Sequence, residues 1–402
     1  MKNIFYIGFL LLLLSVNVVI SQRTALDDKF LPLYRKMRLL TWKLAGRVDF
    51  EGAKKEGKTQ PVIKKETLCE SNEVLKRSVT PPTSVHKLRP GDIDIIAGIG
   101  DSLTAGNGIL ASNILQVLVE NRGIVFSIGG QGNWKQFLTL PNIIKEFNSN
   151  LYGYALGDSL STDRASRFNV AELGAMSIDI HYEAKILHKR MINDPHVNMK
   201  EHWKLVTILI GNNDFCSDMC FRSNPEQVVE LHEKNMLKTL RYLRDNFPRM
   251  LVNIVPSPNL LLLTRLNKKP PLCYTTHPFE CPCLIGKPKN VLKYYEKIMR
   301  KWQAKDKEIA QRDEFNTDTF AVNFQPFTMD IEIPQFKDGS FDYSCFSVDC
   351  FHLSQKGQSL AAAALWNNML EPNNMRKVNW NTSYAIDCPT VQQPYFTTIR
   401  NS

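Results

Sequence analysis

A serine stands just past a short apolar run, within Gly100-Asp101-Ser102-Leu103-Thr104-Ala105-Gly106-Asn107-Gly108. Glycines around it permit a tight turn and the close approach of a second molecule. A helix opening at that point would aim its N-terminal amides at developing negative charge. This is a setting for a nucleophile. A base for it stands in Asp349-Cys350-Phe351-His352. A carboxylate three residues before an imidazole reaches it within one turn. It then fixes the tautomer and leaves the other ring nitrogen for a serine hydroxyl. Two further segments offer donors to an oxyanion. Leu209-Ile210-Gly211-Asn212-Asn213-Asp214 places side-chain amides after an apolar run, and Ser127-Ile128-Gly129-Gly130-Gln131-Gly132-Asn133 clusters backbone amides among glycines. Each piece alone also fits an ordinary turn or loop cap.

The letters of the serine motif occur twice. Gly157-Asp158-Ser159-Leu160 follows Tyr152 to Leu156, a weak strand, and runs into polar Ser161-Thr162-Asp163-Arg164, so it reads as loop. The remaining histidines, 86, 181, 188, 196, 202, 232 and 277, lie mostly in polar helical or linker stretches. Cys281-Pro282-Cys283 near His277 has poor spacing for zinc, which favours disulfides there. No cluster of His and carboxylates has metal-ligand spacing, and neither a metal nor a cofactor is expected.

The elements that must position these residues form an alternating series. Ile93 to Ile99, Leu205 to Ile210, Leu251 to Val255 and Phe320 to Phe324 are short apolar runs bounded by turn residues. Such runs read as buried parallel strands. Between and after them lie helical patterns at Ala171–Ile192, Pro225–Asn246, Val291–Arg312 and Gln355–Leu370. Alternation of this kind predicts an α/β fold with a central parallel sheet covered on both faces, with chemistry at the carboxyl ends of the strands. All four candidate segments fall at strand ends or in loops.

Taken together, Ser102, Gly130, Asn213 and His352 resemble the four blocks of the SGNH (GDSL) hydrolase superfamily. The resemblance implies a three-layer αβα sandwich of flavodoxin-like type and a catalytic triad of Ser102, His352 and Asp349. It also implies an oxyanion hole built with Gly130 and Asn213. Leu140-Pro141-Asn142-Ile143, Phe147-Asn148, Phe168-Asn169-Val170-Ala171 and Gly174-Ala175 narrow the likeness to the phospholipase B-like branch, over about residues 90–372. Gln131 departs from that branch, where an acidic residue is expected. The implied reaction is hydrolysis of phospholipid and lysophospholipid acyl esters. A carboxylesterase or lipase for another ester would need the same residues. A non-catalytic scaffold would not need all four blocks.

The chain has 402 residues, 43% hydrophobic and 22% charged, with a formal net charge of +10. That charge suits peripheral contact with an anionic lipid surface. No zinc-finger spacing, RNP-type aromatic motif or basic heptad helix points to nucleic acid. Met1-Lys2-Asn3 followed by the apolar run Ile4 to Ile20 reads as a signal peptide, 1–21, cut after Ser21, and hence as secretion. The C-terminal residues carry no apolar tail of the kind a GPI anchor needs. Residues 22–90 read as an N-terminal helix (Leu26 to Leu44) and a Lys- and Pro-rich linker or wrap, 91–375 as the hydrolase domain and 376–402 as a tail. Nine cysteines in a secreted chain should pair with one left over. Cys216 with Cys220 and Cys345 with Cys350 are near enough to close short loops, although spacing does not fix connectivity. Asn381-Thr382-Ser383 is a glycosylation sequon.

Overall fold

The computed structural model describes residues 40, 43–46, 48–70, 76–380 and 383–402. The chain divides into two units, Met1–Gly46 and Arg47–Ser402. In the first, Lys43–Ala45 are helical. The expected signal peptide, most of the expected helix 26–44 and Asn381 lie outside the described residues.

The second unit is built on four parallel strands in the order β1-β2-β3-β4. They are β1 Ile93–Gly100, β2 Trp203–Ile210, β3 Met250–Pro256 and β4 Phe320–Phe324. Leu205 pairs Leu251, which pairs Ala321, and the next rung is Val206, Val252 and Val322. Beyond β1 the edge is irregular, with single bridges from Ile95 to Tyr152 and from Gly98 to Asn169.

Helices in chain order are α1 Phe50–Lys55, α2 Ser102–Ala105, α3 Leu140–Ile144, α4 Ile180–Ile192 and α5 Gln227–Asn246. They continue with α6 Leu262–Arg265, α7 Pro271–Glu280, α8 Lys289–Ala310 and α9 Gln355–Leu370. Successive side chains of a strand point to opposite faces. Leu205, Leu209, Leu251 and Val255 therefore pack with α3 and α9. Val206, Ile208, Val252 and Ile254 pack with α4 and α5. The result is helix, sheet, helix. In α5 the inward residues Val228, His232, Met236, Leu240 and Leu243 keep the spacing of one helical stripe. In α9 nearly every residue is buried, because helix and chain surround it.

The sequence-predicted helix from Ala171 begins only at Ile180. The residues before it turn instead, with Asp179 accepting from the Met176 amide at 2.9 Å. The boundary expected at residue 90 does not exist. Gln60 is buried, receives the Leu138 amide and donates to the Trp134 carbonyl, while Leu68, Val85 and Leu88 enter the core. The described residues 48–70 and 76–90 thus wrap the same unit. So does the expected tail, where Arg376 donates to the carbonyls of Phe324 and Thr397, and Phe396 is fully buried.

The short-range cysteine pairs do not form. The disulfides are Cys69–Cys388, Cys216–Cys281, Cys220–Cys283 and Cys273–Cys350, and Cys345 is free and buried. Cys216 and Cys220, one turn apart on a helical stretch, both face the segment carrying Cys281 and Cys283, which gives two adjacent cross-links.

Candidate active site

β1 ends where Gly100 passes against β2. A Cβ on Gly100 would lie 2.3 Å from the Leu209 carbonyl oxygen, and its φ is +152°. Asp101 then caps α2, accepting from the Leu103 amide at 3.0 Å. The buried Asp101 carboxyl also accepts from the Asn212 side chain at 2.8 Å, and Asn212 accepts from Ser257 at 2.8 Å. The ends of β1, β2 and β3 are thereby tied by one chain of side-chain bonds. Burial pushes Asp101 up to about 6, with the Asn212 bond acting against it. Ser102 is the first helical residue, where the amide N–H has no acceptor within its own helix.

Ser102 Oγ lies 2.9 Å from His352 Nε2, and His352 Nδ1 lies 2.7 Å from Asp349 Oδ2. All three residues are buried, Ser102 and His352 to 5% exposure and Asp349 fully. Asp349 Oδ1 accepts from the amides of Phe351 and His352. Cys350, between them, takes a left-handed φ of 57°, which folds the turn tightly enough for that grip. Burial opposes the Asp349 charge. Attraction to His352 and these hydrogen bonds outweigh it and hold the carboxyl below its usual range. Ser347 joins the two segments, donating its amide N–H to the His352 carbonyl and its hydroxyl to the Gly108 carbonyl. The partners fix the tautomer. A neutral imidazole donates Nδ1–H to Asp349 and accepts the serine proton at Nε2.

The two expected oxyanion donors fare differently. Asn213 stands just beyond β2 and donates one amide N–H to the Ala175 carbonyl at 2.8 Å. A side-chain amide has a second N–H to give. Gly130 has one, and it goes to the Ala155 carbonyl at 2.9 Å. The neighbouring amides of Gly129 and Gln131 bond to Val125 and Gly123. An amide spent on the protein has nothing left for substrate, so the expected role of Gly130 is corrected to a packing one. A Cβ there would sit 2.1 Å from the Tyr154 ring.

Ser159 is buried elsewhere. Its amide donates to the Glu120 carbonyl, its carbonyl accepts from Arg122, and its hydroxyl has no hydrogen-bond partner among the described residues. Cys281 and Cys283 are both in disulfides. His277 donates Nε2–H toward the Cys350 carbonyl at 3.2 Å and faces Lys269 at Nδ1. Sequence reasoning named Asn212 only as one of the side-chain amides after the second apolar run, and missed Ser257. The signal was position alone: Ser257 follows β3 directly, and only Gly211 separates Asn212 from the end of β2.

Next to the chain neighbours of the serine and the histidine lies a narrow apolar groove with a cavity volume of about 60 Å³. Leu103, Leu209, Leu263, Phe327, Phe351 and Leu353 line it. Leu103 follows Ser102, and Phe351 and Leu353 flank His352. On the other side of α6 is a second hollow, rimmed by Arg265, Lys269, Lys287, Lys289 and Lys293.

Residues 96–365 match the family model for GDSL-like lipase/acylhydrolase. Curated relatives include phospholipase B1, membrane-associated, from Homo sapiens, 36% identical over 343 residues. The Rattus norvegicus protein is 35% identical over 334 residues. Each alignment covers 81% of this chain and 23% of the relative, so the chain spans about a quarter of their length. Among solved structures, an extracellular lipase from Streptomyces rimosus aligns with a TM-score of 0.30 at 15% identity, covering 66% of this chain and 95% of the lipase. Phospholipase A1 from Streptomyces albidoflavus aligns at 0.31 and 15%, with the same coverage. Likeness at that level bears on neither fold nor function.

Proposed function

The chain belongs to the GDSL-like lipase/acylhydrolase family, and on that premise we propose that it is a secreted serine hydrolase of phospholipid and lysophospholipid acyl esters. The observation that carries this reading is the apolar groove beginning at the chain neighbours of both Ser102 and His352. An acyl chain laid there brings its ester to the serine. The kinship with phospholipase B1 supports the same substrate class. Four disulfides and the basic, apolar N-terminal sequence favour an oxidising compartment. Among the described residues no helix is long and apolar enough to cross a membrane.

Ser102 Oγ attacks the ester carbonyl while its proton passes to His352 Nε2. Asp349 stabilises the imidazolium that forms. The oxyanion rests on the Ser102 amide and the free N–H of Asn213, and each such donor is worth about 10²–10³ in rate. Collapse returns the proton to the departing alcohol. Water, activated by His352, then cleaves the acyl-enzyme and releases the fatty acid. The cationic hollow behind α6 favours anionic interfaces. In residues 51–65, Lys54, Lys55, Lys64 and Lys65 are also exposed, although Lys54 pairs with Glu51 at 3.7 Å and Lys58 with Glu56 at 2.8 Å.

The test is product analysis on diacyl phospholipid, lysophospholipid, triglyceride and acetylated sugar, with the phospholipids in neutral and in anionic vesicles. Fatty acid released from the phospholipids, faster on anionic vesicles at low salt, is the expected result. Brisk cleavage of a short soluble ester with no release from phospholipid would leave only a general esterase.

A further inference from the structure

α7 lies against the turn that carries Asp349 and His352, and three contacts hold it there. Cys273 is disulfide-bonded to Cys350. Thr276 donates its hydroxyl to the Asp349 carbonyl at 3.2 Å, and His277 reaches the Cys350 carbonyl at 3.2 Å. The far end is fixed as well, since Cys281 follows Glu280 directly and is bonded to Cys216. What the helix delivers is its last residue. A carboxylate oxygen of Glu280, one of Asp349 and a ring nitrogen of His352 all lie within 4.8 Å of one another. Glu280 Oε2 is buried with no hydrogen-bond partner among the described residues.

Three such groups have the spacing of a metal site. Here, however, both ring nitrogens of His352 are engaged, Nδ1 with Asp349 and Nε2 with Ser102. The chemistry of the pair of carboxyls points elsewhere. Two carboxyls this close, with Asp349 fully buried and Glu280 partly so, disfavour double ionisation, which leaves a proton on one of them. Asp349 is the one held as an anion, by His352 and two amide N–H groups. The proton then belongs to Glu280, and a protonated carboxyl is a donor.

We infer that Glu280 is a positioning residue, a neutral carboxylic acid that donates a hydrogen bond to Asp349 and so sets how strongly Asp349 acts on His352. This rests on the hydrolase reading above. Burial, then the charge of Asp349, hold the Glu280 carboxyl well above its ordinary range, with Thr276 acting against them. The other titratable groups on this side are His277 and Lys269. Burial, followed by the Lys269 charge, keeps His277 on the neutral side. The donor has two effects. It fixes the rotamer of Asp349, and it draws off part of the negative charge that would otherwise stabilise the imidazolium.

The experiment compares Glu280→Gln and Glu280→Leu with wild type on a short soluble ester, reading kcat, KM and the acid limb of the pH profile. Nitrogen-15 NMR of labelled histidine reads the His352 titration without catalysis. Gln is neutral and still donates, so E280Q should stay within about threefold of wild type with its acid limb unmoved. Leu does not donate. E280L should lose about tenfold to a hundredfold in kcat at similar KM, the range of one hydrogen bond to a charged group, and its acid limb and His352 titration should move up in pH. An acid limb of E280Q displaced downward by a full unit would mean that Glu280 is ionised, and would overturn the inference. So would an E280L enzyme with wild-type kcat and profile. If E280L does not fold, the E280Q profile and titration decide alone. A wild-type enzyme that cleaves no ester sinks the hydrolase reading instead, and the NMR titrations of the variants still report on Glu280.

Discussion

At the residue scale, what separates the two copies of Gly-Asp-Ser-Leu is their surroundings. Ser102 has an imidazole at 2.9 Å, whereas Ser159 has no hydrogen-bond partner for its hydroxyl among the described residues and sits beside the buried Arg122–Glu120 pair. Ser102→Ala is expected to abolish ester hydrolysis, and Ser159→Ala to stay within a few-fold of wild type. An inactive but folded Ser159 variant beside an active Ser102 variant would reverse the assignment. Asp349→Asn is expected to reduce kcat by about 10⁴ with little change in KM, because an amide turned toward Nδ1 favours the wrong tautomer. Steady-state kinetics on a soluble ester reads this. A variant with full rate would remove Asp349 from the mechanism. Asn213→Ala should cost about 10²–10³ in kcat, while Gly130→Ala should act on stability, through the collision with Tyr154, and show first as a lowered Tm.

At the scale of elements, the active turn depends on α7. With Cys273 and Cys350 both replaced by serine, α7 keeps only hydrogen bonds to the turn. The expected result is a kcat about tenfold lower at similar KM, together with a stability loss of about 2–4 kcal/mol. Kinetics and thermal unfolding measure the two separately, and an unchanged kcat would detach α7 from the site. This helix was not legible in the sequence. Pro271 and Pro278 read as breaks, and Cys273 shows no partner until the fold brings position 350 beside it. The four strands were legible, because each is a short apolar run stopped by turn residues and is buried along its length, save for Phe324 at the end of β4. Ser102 and Asn213 were sought just past strand ends, and His352 in the turn before the last helix, three residues after a carboxylate. Gly130 was misread for a physical reason. A sequence shows that a glycine amide exists, not which carbonyl receives it.

Across the whole molecule, several carboxyls are buried without a cation, and they tie stability to pH. Asp214 is the clearest. Burial, with the charges of Asp218 and Asp179 added and the Ser177 amide opposing, pushes it from an ordinary 3.8 up to about 8. At pH below the ordinary value both folded and unfolded chains hold the proton, and the contribution to stability is complete. As pH rises toward 8 the unfolded chain has lost the proton and the folded one still binds it, so stability falls, by up to about 1.4 kcal/mol per pH unit. Asp214→Asn removes this titration. Its Tm should fall less than that of wild type between pH 5 and pH 8.5, and parallel curves would show that Asp214 does not titrate in that window. The Ser102–His352–Asp349 assembly makes Ser102 the nucleophile, which covalent labelling can read out. The intact protein is treated with a fluorophosphonate at neutral pH and the adduct is mapped by peptide mass spectrometry. The account predicts a single adduct on Ser102, lost in Ser102→Ala and slowed at pH well below the ordinary imidazole value of about 6.5. An adduct on Ser159, or an intact Ser102 after prolonged treatment, would contradict it.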